Sequence, residues 1–353
     1  MMKILIIAPS WVGDMMMSHA LYQQLKQNYP DCVIDVMAPD WCRPLLSRMP
    51  EVNQAISMPI GHGSFALGKR YQLGKNLQNQ YDMAIVLPNS LKSAFIPFFA
   101  KVPVRRGWKG EMRYGFLNDL RSNKQDYPMM VQRYVVLAFE KNRVPQATQL
   151  PIPTPYLHTS QHQIVQTKSQ FAELLASTQD RSAIGFCPGA EFGPAKRYPH
   201  YHYASLAQKL IEQGYAVRLF GSAKDQVVGE QIQQSLPVDL QPYCINLAGK
   251  TDLNQAVDLI ADCVAVVSND SGLMHIAAAL NRPLVALYGP TSPQYTPPLS
   301  KKAEIIRLIE GGLIKVRKGQ DSEEGYHQSL IDISPDLVFE KLTQLLANES
   351  LSD

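Results

Sequence analysis

Short apolar runs recur along the chain, each closed by turn chemistry and followed by a longer stretch with helical spacing. In the first half "KILIIA" (3–8), "VIDVMA" (33–38), "MAIVL" (83–87) and "VPVRRG" (102–107) read as strands, with a helical stretch over 15–28 between the first two. This is the βαβ pattern of a parallel sheet. It is interrupted by "QLPIPTPYLHTSQH" (149–162), whose prolines and polar tail read as an interdomain linker, and then restarts. "AIGFCPG" (183–189), "AVRLFGS" (216–222), "CVAVVSND" (263–270) and "PLVALYGP" (283–290) are the strands of the second half, alternating with helices near 201–213, 225–235, 253–261 and 273–280. "SPDLVFEKLTQLLA" (334–347) opens with Ser-Pro as cap and first turn and carries an apolar stripe, so it reads as a terminal helix. The expected fold class is α/β, two doubly wound domains over 1–155 and 163–333, followed by a terminal helical segment, 334–353.

Composition agrees with two domains. At 353 residues and 45% hydrophobic the chain is too long for one ordinary domain and long enough for two substantial cores. Its five cysteines are an odd number with no C-x-x-C pair, which suggests neither a disulfide framework nor a Cys-rich zinc site. "MMKILIIAPSWVGD" imitates the start of a signal peptide, but Pro9 and Asp14 cut its apolar run short. With no run of ~18 apolar residues anywhere, the expectation is a cytoplasmic protein with at most peripheral membrane contact. The net charge of +3 is unevenly spread: residues 1–155 hold 18 Lys and Arg against 10 Asp and Glu, the remainder 16 against 21. Within the basic half, residues 89–121 carry Lys92, Lys101, Arg105, Arg106, Lys109, Arg113 and Arg121 against Glu111 and Asp119. Such a stretch suggests an anionic partner, the alternative being an ordinary solvated face.

In open α/β sheets ligands bind at the carboxyl ends of the strands, where the first amides of the next helix are unpaired. Those ends carry most of the unusual residues here. The only G-x-G, "GHG" (61–63), lacks the third glycine of a dinucleotide fingerprint, and "GSFALGKR" (63–70) matches a P-loop only until Arg70. No D-x-D is present to carry a metal-bound diphosphate, so a nucleotide diphosphate would need protein charge and helix N-termini. "VVSNDSGLMHIAAAL" (266–280) offers both: it places Ser271, Gly272 and the following amides at a helix start, with Asp270 before and His275 one turn in. Asp270 or Ser271 as a plain helix cap, and His275 as a packed helix residue, are the competing readings. "CPGAEFGPAKRYPHYHY" (187–203) projects Lys196 or Arg197 toward a diphosphate, or forms an ordinary surface loop. Asp225, in "FGSAKD" (220–225), is a ribose acceptor or a cap. In the first half "APSWVGDMMMSHAL" (8–21) repeats the design, with Gly13 and Asp14 between strand and helix and Asp14 as cap or general base.

Taken together, "MKILIIAPSWVGDMMMS", "LPNSLKSAF", "GWKGEMRYG", "FCPGAEFGPAKRYPHYHY", "VVSNDSGLMHIAAAL", "RPLVALYGPTSP" and "YHQSLIDI" resemble glycosyltransferase family 9, the ADP-heptose-dependent lipopolysaccharide heptosyltransferases. The resemblance runs from residue 2 to about 345. It implies a GT-B fold of two Rossmann-like domains facing a central cleft, with the terminal helix crossing back to the N-terminal domain. It further implies inverting transfer of L-glycero-D-manno-heptose from ADP-heptose to heptosyl-Kdo2-lipid A, a phosphorylated lipid acceptor, with no metal or cofactor required and no nucleic-acid partner. Carried onto this sequence, Asp14 is the base and Lys196 contacts the diphosphate. Asp270, Ser271 and Gly272 are by the same resemblance the donor-sugar and phosphate loop. From their places at strand ends Gly13, Asp225 and His275 are expected to complete the donor set, and from the charge of the basic stretch Lys92, Arg105, Arg106 and Arg113 are expected to meet the acceptor. Two other functions share these features: a sugar-nucleotide epimerase of similar fold, and a non-catalytic binder of nucleotide sugars or anionic glycans.

Overall fold

A computed structural model of the chain describes residues 1–61, 63–311 and 316–350. His62 of the "GHG" triplet and the last three residues of the terminal segment lie outside the described residues. The chain divides into two compact units, Met1–Pro155 and Tyr156–Asp353. The division falls inside the proline-bearing segment that reads as a linker.

The first unit contains strands β1 (Lys3–Ile7), β2 (Val33–Ala38), β3 (Val52–Ser57), β4 (Met83–Val86), β5 (Val104–Trp108) and β6 (Asp119–Arg121). The second contains β7 (Ala183–Cys187), β8 (Ala216–Leu219), β9 (Cys244–Asn246), β10 (Ala265–Asn269), β11 (Leu284–Leu287) and β12 (Ala303–Ile306). Every pairing between them is parallel. The orders are β3-β2-β1-β4-β5-β6 and β12-β11-β10-β7-β8-β9. Numbered from its own first strand, each sheet therefore runs 3-2-1-4-5-6, the order of dinucleotide-binding folds. Its direction of winding reverses between the first and fourth strands. The two switch points lie at β1/β4 and at β7/β10.

Central strands are apolar on consecutive positions because helices cover both faces of a parallel sheet. Ile4, Leu5, Ile6 and Ile7 of β1, and Val266 and Val267 of β10, are wholly buried. The helix Val12–Asn28 is buried along most of its length, from Met15 to Tyr22, which leaves it little amphipathic contrast. His19 on its inner side shares a hydrogen bond with Glu51 at 2.6 Å, and its ring is closed off from water.

The terminal helix, Pro335–Ser350, forms where its apolar stripe marks it. Its Val338 and Leu342 are fully buried in the core cluster of the second unit. It packs on the helix His200–Glu212 and on β10, β11 and β12. The apolar stripe that marked it as a helix is buried against the second unit.

Candidate active site

At the first unit's switch point, the helix Val12–Asn28 follows β1 with Trp11 at its N-cap, so Gly13 and Asp14 are its second and third residues. Asp14 is half-buried, and its Oδ1 accepts a hydrogen bond from the hydroxyl of buried Tyr134 at 2.9 Å. Tyr134 lies on the helix Met130–Val135, which packs along Val12–Asn28. Lys124 stands near the same carboxylate. Burial, with Arg133 and Arg113 nearby, lowers its ammonium below the ordinary lysine value, and the charge of Asp14 opposes that shift. A cavity of about 540 Å³ opens over the ends of β1 and β4, lined among others by Ser10, Arg70, Asn89, Ser90, Lys92 and Glu111. A smaller one, about 280 Å³, lies beside it between Trp11, Asp40 and Trp41. These are dimensions for sugar rings rather than for water alone.

At the second unit's switch point, the loop after β7 and the turn after β10 meet. Lys196 Nζ and Asp270 Oδ2 are 2.7 Å apart, both largely buried. The helix Gly272–Ala279 starts immediately after, with Ser271 at its N-cap making no side-chain capping bond, so its first amides are not answered by that hydroxyl. His275, one turn in, is buried. Burial lowers its imidazole to about 4, with Asp270 pulling the other way and Lys196 adding to the drop. At neutral pH it is an uncharged donor or acceptor, and the site's positive charge is that of Lys196. Among the described residues no group of three or more His, Cys, Asp or Glu is placed to hold a metal ion.

Of the donor candidates, Lys196, Asp270, Ser271, Gly272 and His275 come together here. Gly13 belongs instead to the first unit, beside Asp14. Asp225 acts as a cap in this structure: its Oδ2 accepts from the Ser222 amide at 2.9 Å and hydroxyl at 2.7 Å, and its Oδ1 from Arg197 at 3.2 Å. A β-carbon on Gly189 would stand 2.5 Å from the Asp225 carboxyl carbon, and one on Gly221 2.7 Å from its β-carbon. The glycines of "CPG" and "FGS" therefore make room for this carboxylate, whose Oδ2 is taken up by Ser222 as a cap while Oδ1 carries the single bond from Arg197.

The basic stretch needs a larger correction. Arg105 donates to the carbonyls of Phe116 and Val102, both at 2.7 Å. Arg106 pairs with Asp119 at 2.6 Å and donates to the Leu137 carbonyl. Arg113 is fully buried and donates to the carbonyls of Pro88, at 2.6 Å, and Trp108. All three guanidiniums donate to backbone carbonyls of the first unit. Lys92 alone of the expected acceptor contacts faces the cavity.

Two residues with no assigned role in the sequence organise the site. Asn269, the fully buried last residue of β10, accepts from the Tyr198 amide and the Tyr203 hydroxyl, both at 3.1 Å, and donates to the Pro188 carbonyl at 2.7 Å. It locks the loop carrying Lys196 to the strand carrying Asp270. An asparagine ending an apolar strand is out of place by propensity, and that was its signal. Tyr134, far from Asp14 in the chain, gave none.

Paired units of this topology have the GT-B architecture of nucleotide-sugar-dependent glycosyltransferases, and the chain is an enzyme of that class. Residues 70–327 match glycosyltransferase family 9 (heptosyltransferase), and the chain belongs to that family. It is 72% identical to lipooligosaccharide heptosyltransferase 2 of Haemophilus ducreyi, over 98% of this chain and 100% of the relative. It is 60% identical to lipopolysaccharide heptosyltransferase 2 of Escherichia coli K12, over 99% of each. The solved structure of E. coli ADP-heptose lps heptosyltransferase II superposes with a TM-score of 0.90 at 57% identity, covering 99% of this chain and 100% of that one.

Proposed function

We propose that the protein transfers L-glycero-D-manno-heptose from ADP-heptose to the first heptose of the lipopolysaccharide inner core, using heptosyl-Kdo2-lipid A as acceptor and inverting the anomeric carbon. The supporting observation is the Lys196–Asp270 pair at the start of helix Gly272–Ala279, an ammonium and unpaired amides fixed where a departing diphosphate needs both. Asp270 orients the ammonium, and Asn269 keeps the two loops in register. Neutral His275 supplies hydrogen bonding without adding charge. In the first unit Asp14, steadied by Tyr134, takes the proton of the acceptor hydroxyl. The hydroxyl oxygen bonds to the anomeric carbon as the bond to ADP breaks, and the electron pair leaves on the diphosphate. Lys92 and the cavity beside it receive the anionic acceptor. Because no described helix is long and apolar enough to cross a membrane, a lipid acceptor is reached by peripheral contact with the cytoplasmic face of the inner membrane.

Mass spectrometry of products from ADP-heptose, with acceptors bearing zero, one or two heptoses, tests the reading. One heptose is expected to be added to the one-heptose acceptor alone. Addition to the heptose-free acceptor would make this a first-heptose enzyme, and conversion of the donor without any acceptor would point to epimerase chemistry.

A further inference from the structure

We propose that the aromatic face built by the helices Leu67–Asn76 and Phe95–Phe99 is the surface by which the protein docks on an anionic lipid bilayer. This rests on the reading of a lipid-borne acceptor and names the surface that reading leaves open.

Phe65 is 55% exposed, Leu67 44%, Tyr71 48% and Phe98 38%. These are not scattered side chains. Phe65 packs edge-on to Phe95 at 5.7 Å, Tyr71 to Phe99 at 5.1 Å, and Phe98 to Phe99 and Phe116 at 5.6 and 5.0 Å. Phe95 in turn touches Phe99 and Phe116. One aromatic cluster thus presents several rings to solvent at once, the kind of contiguous apolar patch that a soluble surface seldom leaves uncovered. Along the first helix Leu67, Tyr71 and Lys75 are spaced four apart and all exposed, a single stripe with a cation at its end.

Charge selects the occupant. Residues 52–110 contain eight lysines and arginines against Asp82 alone, with Glu51 and Glu111 at the flanks and Glu111 on the cavity wall. Asp82 precedes β4, at the end of the sheet away from the cavity, and accepts from the Lys3 amide at 2.7 Å. Lys75 is exposed on the same stripe, and Lys69 and Lys101 are exposed elsewhere on the same segments. Aromatic side chains that enter the headgroup layer, with exposed lysines on the same segments, combine the two signals that peripheral binding to anionic lipid requires. A protein partner would favour a lysine-poor centre and offers no reason for the missing carboxylates. The patch is also continuous with the cavity: Phe65 and Arg70 line its wall, and Arg70 fixes the Ser64–Phe65 loop by donating to both carbonyls. A bilayer against this face lies at the mouth through which a lipid-anchored sugar enters.

The test is co-sedimentation of the full chain with vesicles of phosphatidylcholine alone or with phosphatidylglycerol added, neither containing acceptor. The protein is expected to pellet with the anionic vesicles and to be released by salt. Leu67→Ser with Tyr71→Ser, and separately Lys69→Gln with Lys75→Gln and Lys101→Gln, should each weaken partition on the order of tenfold or more. Both variants should keep the parent melting curve and the rate on a soluble deacylated acceptor, while losing rate on acceptor embedded in vesicles. Wild-type protein that stays in the supernatant at low salt overturns the proposal, as do folded variants that pellet undiminished. Sedimentation velocity showing a dimer that these substitutions dissociate would assign the face to a second copy instead. Vesicle binding with no transfer to either acceptor would leave the docking surface standing and remove the proposed reaction; transfer without vesicle binding would do the reverse.

Discussion

The two units have the same strand order and open at the same switch point, yet they use ionic groups in opposite ways. The first carries the excess of lysine and arginine, 18 against 10 acidic residues. Its buried arginines are nevertheless tied to carbonyls and to Asp119, and its crevice is an open cavity with Lys92 at the wall. The second unit is net acidic, and the centre of its crevice is a lysine at 2.7 Å from an aspartate beside a helix start. Shared topology provides a place for a ligand, and the chemistry comes from the few side chains set there. Bulk charge is a poor guide to either site, because a guanidinium that satisfies buried carbonyls is no longer available to a ligand.

The comparison breaks most sharply at Asp14. Asp14→Asn is expected to lower kcat by about 100-fold or more, the usual scale for a lost general base, while ADP affinity, assigned to the other unit, stays as it was. Isothermal titration with ADP alongside initial rates checks both halves of the statement. Turnover near that of the parent would reduce Asp14 to a structural residue of the helix start, and a parallel loss of ADP affinity would undo the division of labour between the units.

What the chain discloses about itself follows the same line between centre and edge. The eight strands visible as apolar runs are the inner four of each sheet, where cover on both faces forces consecutive apolar residues. The four not visible, β3, β6, β9 and β12, are the edges of the two sheets. β3 is only partly covered along its length, and β6 and β9 are three residues each, too short to show a period. The donor loop was legible because polar residues stood between two apolar elements, which is costly without a reason. Asp225 was ambiguous for the same reason, since a cap and a ribose contact draw on the same residue at the same place. The bonds of Arg105 and Arg113 could not be read because their partners are carbonyls, a class of acceptor that every residue carries and no pattern of side chains reveals, while Arg106 is held both by a carbonyl and by Asp119 on the neighbouring strand.

Lys196→Ala sharpens the second unit's side of the comparison. Losing a charge-assisted contact to the diphosphate should weaken ADP-heptose binding and slow transfer by roughly 10- to 100-fold, since such bonds are worth about 1.5–3 kcal/mol. Acceptor KM should not follow. Removing the ammonium also strands the Asp270 carboxylate, 8% exposed, so a melting curve must accompany the kinetics. Lys196→Ala with Asp270→Asn removes that penalty and should recover stability without recovering rate. Recovery of both would make the pair a fold element and move the diphosphate elsewhere.

The smallest expected effect on transfer separates cations that serve a ligand from cations that serve the fold within the first unit. Lys92→Gln removes a half-buried ammonium from the cavity wall. It should raise acceptor KM a fewfold and flatten its dependence on salt, as an attraction screened over ~8–10 Å does. Donor KM and melting temperature should hold. Arg113→Gln should do the opposite, because it removes the guanidinium that donates to the Pro88 and Trp108 carbonyls from a fully buried site. Its melting temperature should fall by several degrees, on the scale of about 1–3 kcal/mol for each unsatisfied buried group. The fraction that remains folded should retain the acceptor's salt response. If Arg113→Gln instead keeps its melting temperature and loses acceptor affinity, the guanidinium reaches the ligand after all and the basic stretch acts as a surface. If Lys92→Gln changes nothing, the cavity's positive wall is not where the acceptor's anionic groups rest.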